Sequence, residues 1–462
     1  MEPWLRCVAA ALGGLGALAC DGPPRGVPRD VLVVTLDTTR ADHLGCYGYF
    51  RDTSPEIDAL ARESILFENA LAPMATTLPT HVSVFTGTSP HEHGVLANST
   101  QSGRGFVASP ALRPIAAIAA ERGYRTAAFI SAAPLKRGSG IELGFETFDE
   151  AEGKQRPAAA TVDAAIRWLS QADATPFFLW IHFYDAHWPY AAPPSYAGLF
   201  QTDPALERYL ATRRVADRTP RPLVGTIDEA RPTINAYDAE LRYQDAEFGR
   251  LGRWLVEHGR WDGTAILLLG DHGEGLGQHG EAGHGSTWRE QIHAPLLMRV
   301  PGAAPRRISA PVSLVDALPT FLGLLRAPGL ALPANQASGR DALAAGPGDE
   351  PILSQATGRD PAAPRSYALT TGRWKYFRRE ALDGVARDSL YDLEADPFEL
   401  EDVSTSHPDR VSGLRGALER RVRGQLDRGE ELRGGRPPET RSLDPELRRQ
   451  LEALGYSAGA ER

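Results

Sequence analysis

Four near-continuous apolar segments constrain the fold of this chain more than any other feature of its sequence. They cover residues 30–36, 176–182, 264–269 and 295–300, and a further strand is expected over 126–131. A strand that is buried on both faces has this character, because neither face alternates with water. Segments with helical periodicity, at 55–63, 158–171 and 234–258, stand between them. The alternation predicts an α/β fold with a mostly parallel central sheet and helices on both faces.

Polar side chains follow these segments where a sheet of this kind binds ligands. Asp37 follows the first segment, and Asp271 and His272 follow the segment at 264–269. Open α/β sheets bind ligands outside the carboxyl ends of their strands. Each residue alone could equally cap a local turn, but together they indicate a site at one sheet edge.

Thr77 is a candidate nucleophile at the same edge. A helix is predicted to begin at Pro79, since proline suits the first helical turn, and Thr77 then lies just before it. Free N–H groups and the helix dipole favour an anion there. The simpler interpretation is that Thr77 is an ordinary N-cap. Carboxylate, hydroxyl and imidazole ligands suit Zn²⁺ or Mn²⁺ better than Mg²⁺, and a metal-bound Thr77 hydroxyl would be nucleophilic at neutral pH.

The beginning of the chain is typical of a leader segment. Residues 1–26 contain Arg6, a short apolar run and the sequence Ala-Leu-Ala, which Cys20 follows directly. This arrangement resembles a bacterial lipoprotein signal with Cys20 as the lipidated residue, and cleavage of a plain signal peptide is the alternative. We therefore expect an exported protein, in the bacterial periplasm or anchored to a membrane through Cys20.

The composition changes beyond residue 335. Residues 27–335 are predicted to form the catalytic domain, and 350–428 a smaller antiparallel α+β subdomain with strands near 367–371, 374–378 and 390–391 and a helix over 407–427. Residues 429–462 form a polar tail with a short helix near 445–454. The net charge of −9 has no basic block, which argues against nucleic acid as a partner.

Several motifs resemble the sulfatase branch of the alkaline phosphatase superfamily. The sequence Thr-Leu-Pro-Thr-His at 77–81, with Phe-Thr-Gly at 85–87, resembles the Cys/Ser-x-Pro-Ser-Arg…Leu-Thr-Gly signature of that branch. Asp37 with Gly-Cys-Tyr-Gly at 45–48 resembles its N-terminal metal strand, and 271–280 its DHG…GEHG block. Residues 295–301 resemble its "VPLIIRxPG" strand, and 390–397 its C-terminal subdomain.

The resemblance implies a site with one divalent ion. Its ligands would be Asp37, Thr77, Asp271 and His272, with zinc or manganese favoured and calcium as the other candidate. A second metal, on Asp185 and two histidines, is not expected, since the two-zinc relatives space the corresponding ligands differently.

Three further histidines acquire roles from the same resemblance. His187 matches the histidine of the "DPHxPY" segment, which contacts the transferring group or protonates the leaving oxygen. His284 lies where sulfatases place a lysine or histidine on the ester oxygens. His81 stands in place of the arginine that supports the nucleophile. For His187, a structural hydrogen bond is the alternative interpretation.

The departures from the branch bear on the chemistry. Sulfatases convert the signature Cys or Ser to formylglycine, and Thr77 cannot be converted in that way. Thr38 replaces the second Asp of the usual pair. A threonine nucleophile resembles the phosphodiesterases and the phosphoethanolamine or phosphoglycerol transferases of the superfamily.

The expected function is therefore a metal-dependent hydrolase of sulfuric or phosphoric esters that favours phosphodiesters or phosphonate esters. Its substrate would be a small-molecule, glycan-linked or lipid-linked anionic ester. A transferase with the same half-reaction, and a catalytically silent binding protein, are the alternatives.

Overall fold

The computed structural model describes residues 28–454 and Tyr456, apart from short gaps. The gaps are at residues 101–102, 172–174, 216–218, 222–224, 228–229, 328, 345–349, 357–364 and 381–384. The predicted leader and Cys20 lie outside the described residues, so export and lipidation stay predictions.

The described residues include eleven α-helices and twenty-one strands. The helices are α1 (Pro55–Ala61), α2 (Thr77–Thr86), α3 (Pro90–His93), α4 (Ile115–Glu121), α5 (Ala158–Ser170), α6 (Pro204–Thr212), α7 (Ala230–Glu257), α8 (Arg289–Ile292), α9 (Ala317–Leu325), α10 (Pro408–Leu432) and α11 (Pro445–Ala453). The first ten strands are β1 (Asp30–Leu36), β2 (Ile65–Phe67), β3 (Ala70–Leu71), β4 (Arg104–Val107), β5 (Arg125–Ile130), β6 (Thr147–Glu150), β7 (Phe177–Phe183), β8 (Thr219–Arg221), β9 (Gly225–Ile227) and β10 (Thr264–Gly270). The others are β11 (Gly275–Leu276), β12 (Ala282–Gly283), β13 (His293–Ala294), β14 (Leu296–Arg299), β15 (Arg306–Ile308), β16 (Val312–Ser313), β17 (Ile352–Ala356), β18 (Arg365–Thr371), β19 (Trp374–Glu380), β20 (Ala386–Asp392) and β21 (Glu439–Ser442).

An eight-stranded sheet forms the centre of the molecule, in the order β15-β2-β14-β10-β1-β7-β5-β6. Strand β1 pairs in parallel with both β10 and β7, and β5 pairs in parallel with β7 and β6. The carboxyl ends of β1, β7 and β10 therefore meet at one edge of the sheet. The predicted α/β fold with a mostly parallel sheet is confirmed.

Strand β14 runs against its neighbours. It pairs antiparallel with β10 on one side and with β2 on the other. The apolar run at 295–300 correctly predicted a buried strand. Strand direction depends on how the connecting chain returns, and an apolar run carries no information about that.

Helices cover both faces of the sheet because alternate residues of the apolar strands point in opposite directions. Val31 and Val33 of β1 belong to a buried cluster with residues of α2, α4 and α9. Leu32 and Val34 belong to a second cluster with residues of α1, α5 and α7. Both faces are thus dry, which explains the continuous apolar runs.

Two helices begin earlier than predicted. Helix α2 begins at Thr77 rather than Pro79, and α7 begins at Ala230 rather than at residue 234. Pro79 is the third residue of α2, and Pro232 is the third residue of α7. Proline is tolerated throughout the first turn, whose N–H groups lack partners within the helix, so it does not mark the first residue.

A four-stranded antiparallel sheet, β17-β18-β19-β20, forms the small C-terminal subdomain. Helix α10 covers it, since Val411 and Leu418 cluster with Leu369 and Leu390. Strand β17 was not predicted, and α10 continues to Leu432. None of the helices in the described part of the chain is long and apolar enough to cross a bilayer.

Candidate active site

Asp37 follows β1 directly and is fully buried. Its backbone N–H donates to the carbonyl of Phe183, 2.9 Å away, which ties the end of β1 to the end of β7. Neither carboxylate oxygen has a hydrogen-bond partner among the described residues. A buried carboxylate without partners is costly unless a cation or a proton neutralises it.

The turn after Asp37 is held by helix α7. The Tyr237 hydroxyl donates to the carbonyl of Thr38 (2.8 Å) and accepts from the N–H of Arg40 (2.9 Å). Thr38 has a φ of 49°, in the left-handed region that β-branched residues rarely adopt. The surrounding contacts therefore impose a conformation that the turn would not adopt by itself.

Asp271 and His272 follow β10, the parallel neighbour of β1. The Asp271 Oδ1 accepts from the N–H groups of Thr38 (3.1 Å) and His272 (2.7 Å), whereas its Oδ2 has no hydrogen-bond partner among the described residues. The His272 Nδ1 lies 2.9 Å from the carbonyl of Gly273, an acceptor, so Nδ1 carries the proton. When His272 is neutral, as it must be to bind a metal ion, its Nε2 has a lone pair that faces the site.

Thr77 brings its hydroxyl to this imidazole. Its Oγ1 lies 3.5 Å from the His272 Nε2, and the side chain is fully buried at the first position of α2. The Leu78 N–H already donates to Asn98 Oδ1 (2.8 Å), and Pro79 has no N–H. Fewer helix N–H groups than expected are therefore available to an anion, and the neighbouring side chains must supply the remaining interactions.

The arrangement fits a divalent cation. One ligand atom from each of Asp37, Asp271 and His272 can be chosen so that all three lie within 4.8 Å of one another. The unpartnered oxygens of both carboxylates and the Nε2 lone pair are the donors that such an ion takes. These residues are three of the four predicted ligands, and Thr77, the fourth, lies beside them.

The buried carboxylates of Asp37 and Asp271 also require a positive charge or protons to neutralise them. Burial raises the pKa of Asp37 to about 7, although the His272 imidazolium opposes this shift. Burial, and then the Asp37 charge, raise the pKa of Asp271. Burial lowers the pKa of His272, but the carboxylates of Asp271 and Asp37 outweigh it and raise the value overall. Protons or a metal ion must therefore neutralise this cluster.

His81 lies one turn into α2, against the same group. Its Nδ1 lies 2.8 Å from the carbonyl of Thr77 and 3.7 Å from the Asp271 Oδ2. Burial lowers its pKa to about 4, which makes it a neutral ring at pH 7. A neutral His81 can orient the first turn of α2 but cannot supply the positive charge of the arginine that it replaces.

His182 was not predicted as a site residue. It lies on β7, with its Nε2 3.4 Å from the Asp37 Oδ2, and neither ring nitrogen has a hydrogen-bond partner among the described residues. Burial lowers its pKa to about 3. The signal was present in the sequence, since His182 is the one polar residue in the run from Phe177 to Phe183.

His187 and His284, the two remaining predicted site residues, lie next to each other. Their Nε2 atoms lie 3.4 Å apart, and the ring of His284 lies 4.4 Å from that of His272, centroid to centroid. The hydroxyl of Tyr456 lies 2.6 Å from the His187 Nε2. Tyr456 was not predicted, because it belongs to the segment interpreted as a polar tail.

Asp185, the carboxylate considered for a second metal, forms a hydrogen bond with the first residue of helix α5. Its Oδ1 accepts from the N–H of Ala158 (3.0 Å), at the start of α5. Burial raises its pKa to about 7. This carboxylate therefore serves as a cap for α5.

Comparison with known proteins identifies the family. A sequence profile described as Sulfatase matches residues 29–327, well over half of the chain. The chain belongs to the sulfatase family. The matched range contains every strand of the central sheet and all residues of the candidate site except Tyr456.

The individual relatives share between a quarter and about a third of their residues with this chain over the matched segments. Arylsulfatase K of Gallus gallus is 34% identical over 199 residues, which cover 41% of this chain and 37% of the relative. Iduronate 2-sulfatase of Homo sapiens is 25% identical over 339 residues, which cover 59% of this chain and 60% of the relative. The chain thus spans less than two thirds of these two proteins. Among solved structures, a phosphonate monoester hydrolase of Agrobacterium radiobacter superposes with a TM-score of 0.67 at 21% identity, covering 86% of this chain and 96% of that one.

Proposed function

We propose that this sulfatase-family chain is a metal-dependent hydrolase of phosphoric diesters or phosphonate esters, with Thr77 as its nucleophile. The observation that carries the proposal is the identity and setting of residue 77. The Thr77 hydroxyl lies 3.5 Å from the His272 Nε2, beside two carboxylates with oxygens that have no hydrogen-bond partner among the described residues.

The nucleophile favours phosphorus over sulfur for a mechanistic reason. A formylglycine hydrate that carries a sulfuryl group releases sulfate by collapsing to the aldehyde. A sulfated Thr77 has no second hydroxyl on the same carbon, so release would require water to attack sulfur. A phosphorylated Thr77 can be opened by in-line attack of water on phosphorus.

The residues of the chain divide the work as follows. A divalent ion held by Asp37, Asp271 and His272 would lower the pKa of the Thr77 hydroxyl and polarise the ester. The Thr77 hydroxyl, with its pKa lowered, loses its proton to solvent, its Oγ attacks phosphorus, and the bond from phosphorus to the leaving oxygen breaks. His187, when doubly protonated, gives the Nε2 proton to that oxygen. A water then attacks the phosphorus of the Thr77 adduct, His187 takes a proton of that water, and the bond from phosphorus to the Thr77 Oγ breaks, which releases the phosphoric monoester or the phosphonate and restores Thr77.

The decisive experiment compares four p-nitrophenyl substrates with the purified full-length chain: the sulfate, the phosphate monoester, the bis-phosphodiester and the phenylphosphonate. We expect kcat/KM to be highest for the diester or the phosphonate. Mass spectrometry after rapid acid quenching should detect the phosphoryl adduct on Thr77, and Thr77 should be unmodified before substrate is added. Both measurements use the metal-loaded protein.

Two outcomes would contradict the proposal in different ways. If the aryl sulfate is hydrolysed faster than any phosphorus ester by a chain with unmodified Thr77, the argument from the nucleophile is wrong. If the phosphoryl group passes to added glycerol or ethanolamine in preference to water, the protein is a transferase.

Replacing His187 by alanine should slow esters with poor leaving groups most. An alkoxide needs a proton as it departs, whereas p-nitrophenolate does not, so we expect kcat to fall about 100-fold for an alkyl phosphodiester and far less for the nitrophenyl diester. The measurement is the slope of log kcat against the pKa of the leaving group, which should become steeper in the variant.

His258→Ala is the matched control. The His187 Nδ1 lies 2.5 Å from the backbone carbonyl of Trp188, and the His258 Nδ1 similarly lies 2.8 Å from that of Trp254. The His258 side chain, however, is exposed beyond the end of α7. The control should reproduce the wild-type slope. An equal loss for all leaving groups in His187→Ala would mean that His187 binds the ester without protonating it.

A further inference from the structure

The C-terminal end of the described chain returns to the catalytic domain. Strand β21 pairs antiparallel with β4. After it, α11 packs Leu447 and Leu451 into a buried cluster with Ala132, Ala133 and Tyr184. Tyr184 lies between β7 and His187, so this packing brings the end of the chain to the rim of the site.

Tyr456 is fixed there by its own backbone. Its N–H donates to the carbonyl of Leu451 (2.8 Å), and its carbonyl accepts from the Ser99 hydroxyl (2.6 Å). The residue is only 7% exposed. With both backbone groups bonded, the direction of the side chain is determined by the fold.

The Tyr456 side chain points towards His187 and His284. Its hydroxyl lies 2.6 Å from the His187 Nε2, 3.4 Å from the His284 Nε2 and 3.3 Å from the Tyr184 hydroxyl. Its ring belongs to the buried cluster that also contains Ala132, Ala133 and Leu447. A residue that only filled space at this point would not need a hydroxyl.

The protonation of the two histidines explains what this hydroxyl does. The His187 Nδ1 lies 2.5 Å from the carbonyl of Trp188, and the His284 Nδ1 lies 3.1 Å from the carbonyl of Ala75. Carbonyl oxygens only accept, so both Nδ1 atoms carry a proton, and each neutral ring presents Nε2 as an acceptor. Two facing acceptors 3.4 Å apart repel each other unless a donor lies beside them.

The phenol hydroxyl supplies that donor, and it can also accept. When His187 is neutral, Tyr456 donates to its Nε2. When His187 is protonated, Nε2–H donates to the Tyr456 oxygen. A hydrogen bond to Tyr456 therefore forms in either protonation state of His187, and the Nε2 proton leaves that bond when it passes to the substrate.

We propose that Tyr456 is a positioning residue of the active site, through which the C-terminal segment fixes the orientation and tautomer of His187 beside His284. Tyr456 lies close to the proposed nucleophile, because its hydroxyl is 3.4 Å from the His284 Nε2 and His284 packs against His272. The His272 Nε2 in turn faces the Thr77 hydroxyl. The kinetic part of this inference rests on the proposed function, whereas the contact itself does not. The active site therefore includes a residue, Tyr456, from outside the predicted catalytic domain of residues 27–335.

The test is Tyr456→Phe, which keeps the ring and its packing and removes only the hydroxyl. We expect kcat to fall about tenfold for an ester with a poor leaving group, the loss of one hydrogen bond to a group that becomes charged, with KM nearly unchanged. In protein labelled with ¹⁵N-histidine, the His187 Nε2 resonance should move towards that of a ring nitrogen without a hydrogen bond. The resonance is assigned by its absence from His187→Ala.

Tyr376→Phe is the matched control. Its hydroxyl donates to Asp388 Oδ1 (2.6 Å) in the C-terminal sheet, away from the catalytic histidines. The control should leave both kcat and the His187 resonance as in wild type. An unchanged His187 resonance in Tyr456→Phe, or a wild-type kcat for the poor leaving group, would overturn the positioning role. If the wild-type protein hydrolyses no ester, the proposed function fails, and the resonance alone decides the role of Tyr456.

Discussion

Thr77→Val should abolish turnover of every ester that the wild-type protein hydrolyses, with a loss of about 10⁴-fold or more in kcat. Valine has nearly the shape of threonine, so the fully buried first position of α2 stays filled. Only the hydroxyl that faces the His272 Nε2 is removed. The measurement is kcat for the best substrate of the panel, with the metal content of both proteins determined in the same preparations.

Thr77→Ser is the matched control, because it keeps the hydroxyl and removes only a methyl group. We expect its kcat to lie within about tenfold of wild type, since the nucleophile is retained and only the packing around it changes. If the valine variant turns over at the wild-type rate, a water rather than Thr77 attacks the ester. If the serine variant is as inactive as the valine variant with its metal in place, the methyl group matters more than the hydroxyl, and the nucleophile must be sought elsewhere.

The part of the site that lies at strand ends could be predicted from the sequence. Asp37, Asp271 and His272 each follow an apolar run, and β1 and β10 are parallel neighbours in register. Parallel strands bring their carboxyl ends to one edge, which is where the sequence placed these residues. Residues more than 230 positions apart in sequence then meet because β1 and β10 are direct neighbours in the structure. Thr77 was predicted as a candidate nucleophile at a helix N-terminus, and the motif resemblance supported it, whereas the start of its helix was predicted at Pro79 and lies at Thr77.

The remaining residues depend on tertiary packing. His182 points into the site because of its position along β7, and an apolar strand with one histidine does not show which face that histidine occupies. The leucines at 447, 451 and 454 predict an amphipathic helix, but not that its partner is the rim of the active site. Tyr456 follows that helix and lies 269 positions from His187 in sequence. No local pattern carries that information.

Asp271→Asn should remove the metal ion and the activity together. The amide keeps an acceptor for the N–H groups of Thr38 and His272, so the turn after β10 can keep its form. It loses the negative charge shared by Oδ2, the oxygen that has no hydrogen-bond partner in the described part of the chain. We expect elemental analysis after gel filtration to find close to one equivalent of a divalent metal in wild type and almost none in the variant. An ion present at a thousandfold over its Kd stabilises the folded state by about 4 kcal/mol, so EDTA should lower the Tm of wild type but not that of the variant.

Asp245→Asn is the control that separates loss of the ligand from loss of a buried carboxylate. Asp245 is also fully buried and also accepts from two backbone N–H groups, those of Glu56 (3.2 Å) and Ile57 (2.8 Å), but both of its oxygens are bonded. Its variant should keep the metal and the response to EDTA even if its Tm is lower, because it disturbs packing at α1 and leaves the charge of the site intact. If Asp271→Asn keeps its metal and EDTA still lowers its Tm, then the ion is held elsewhere, and the three groups at the edge of the sheet are neutralised by protons instead.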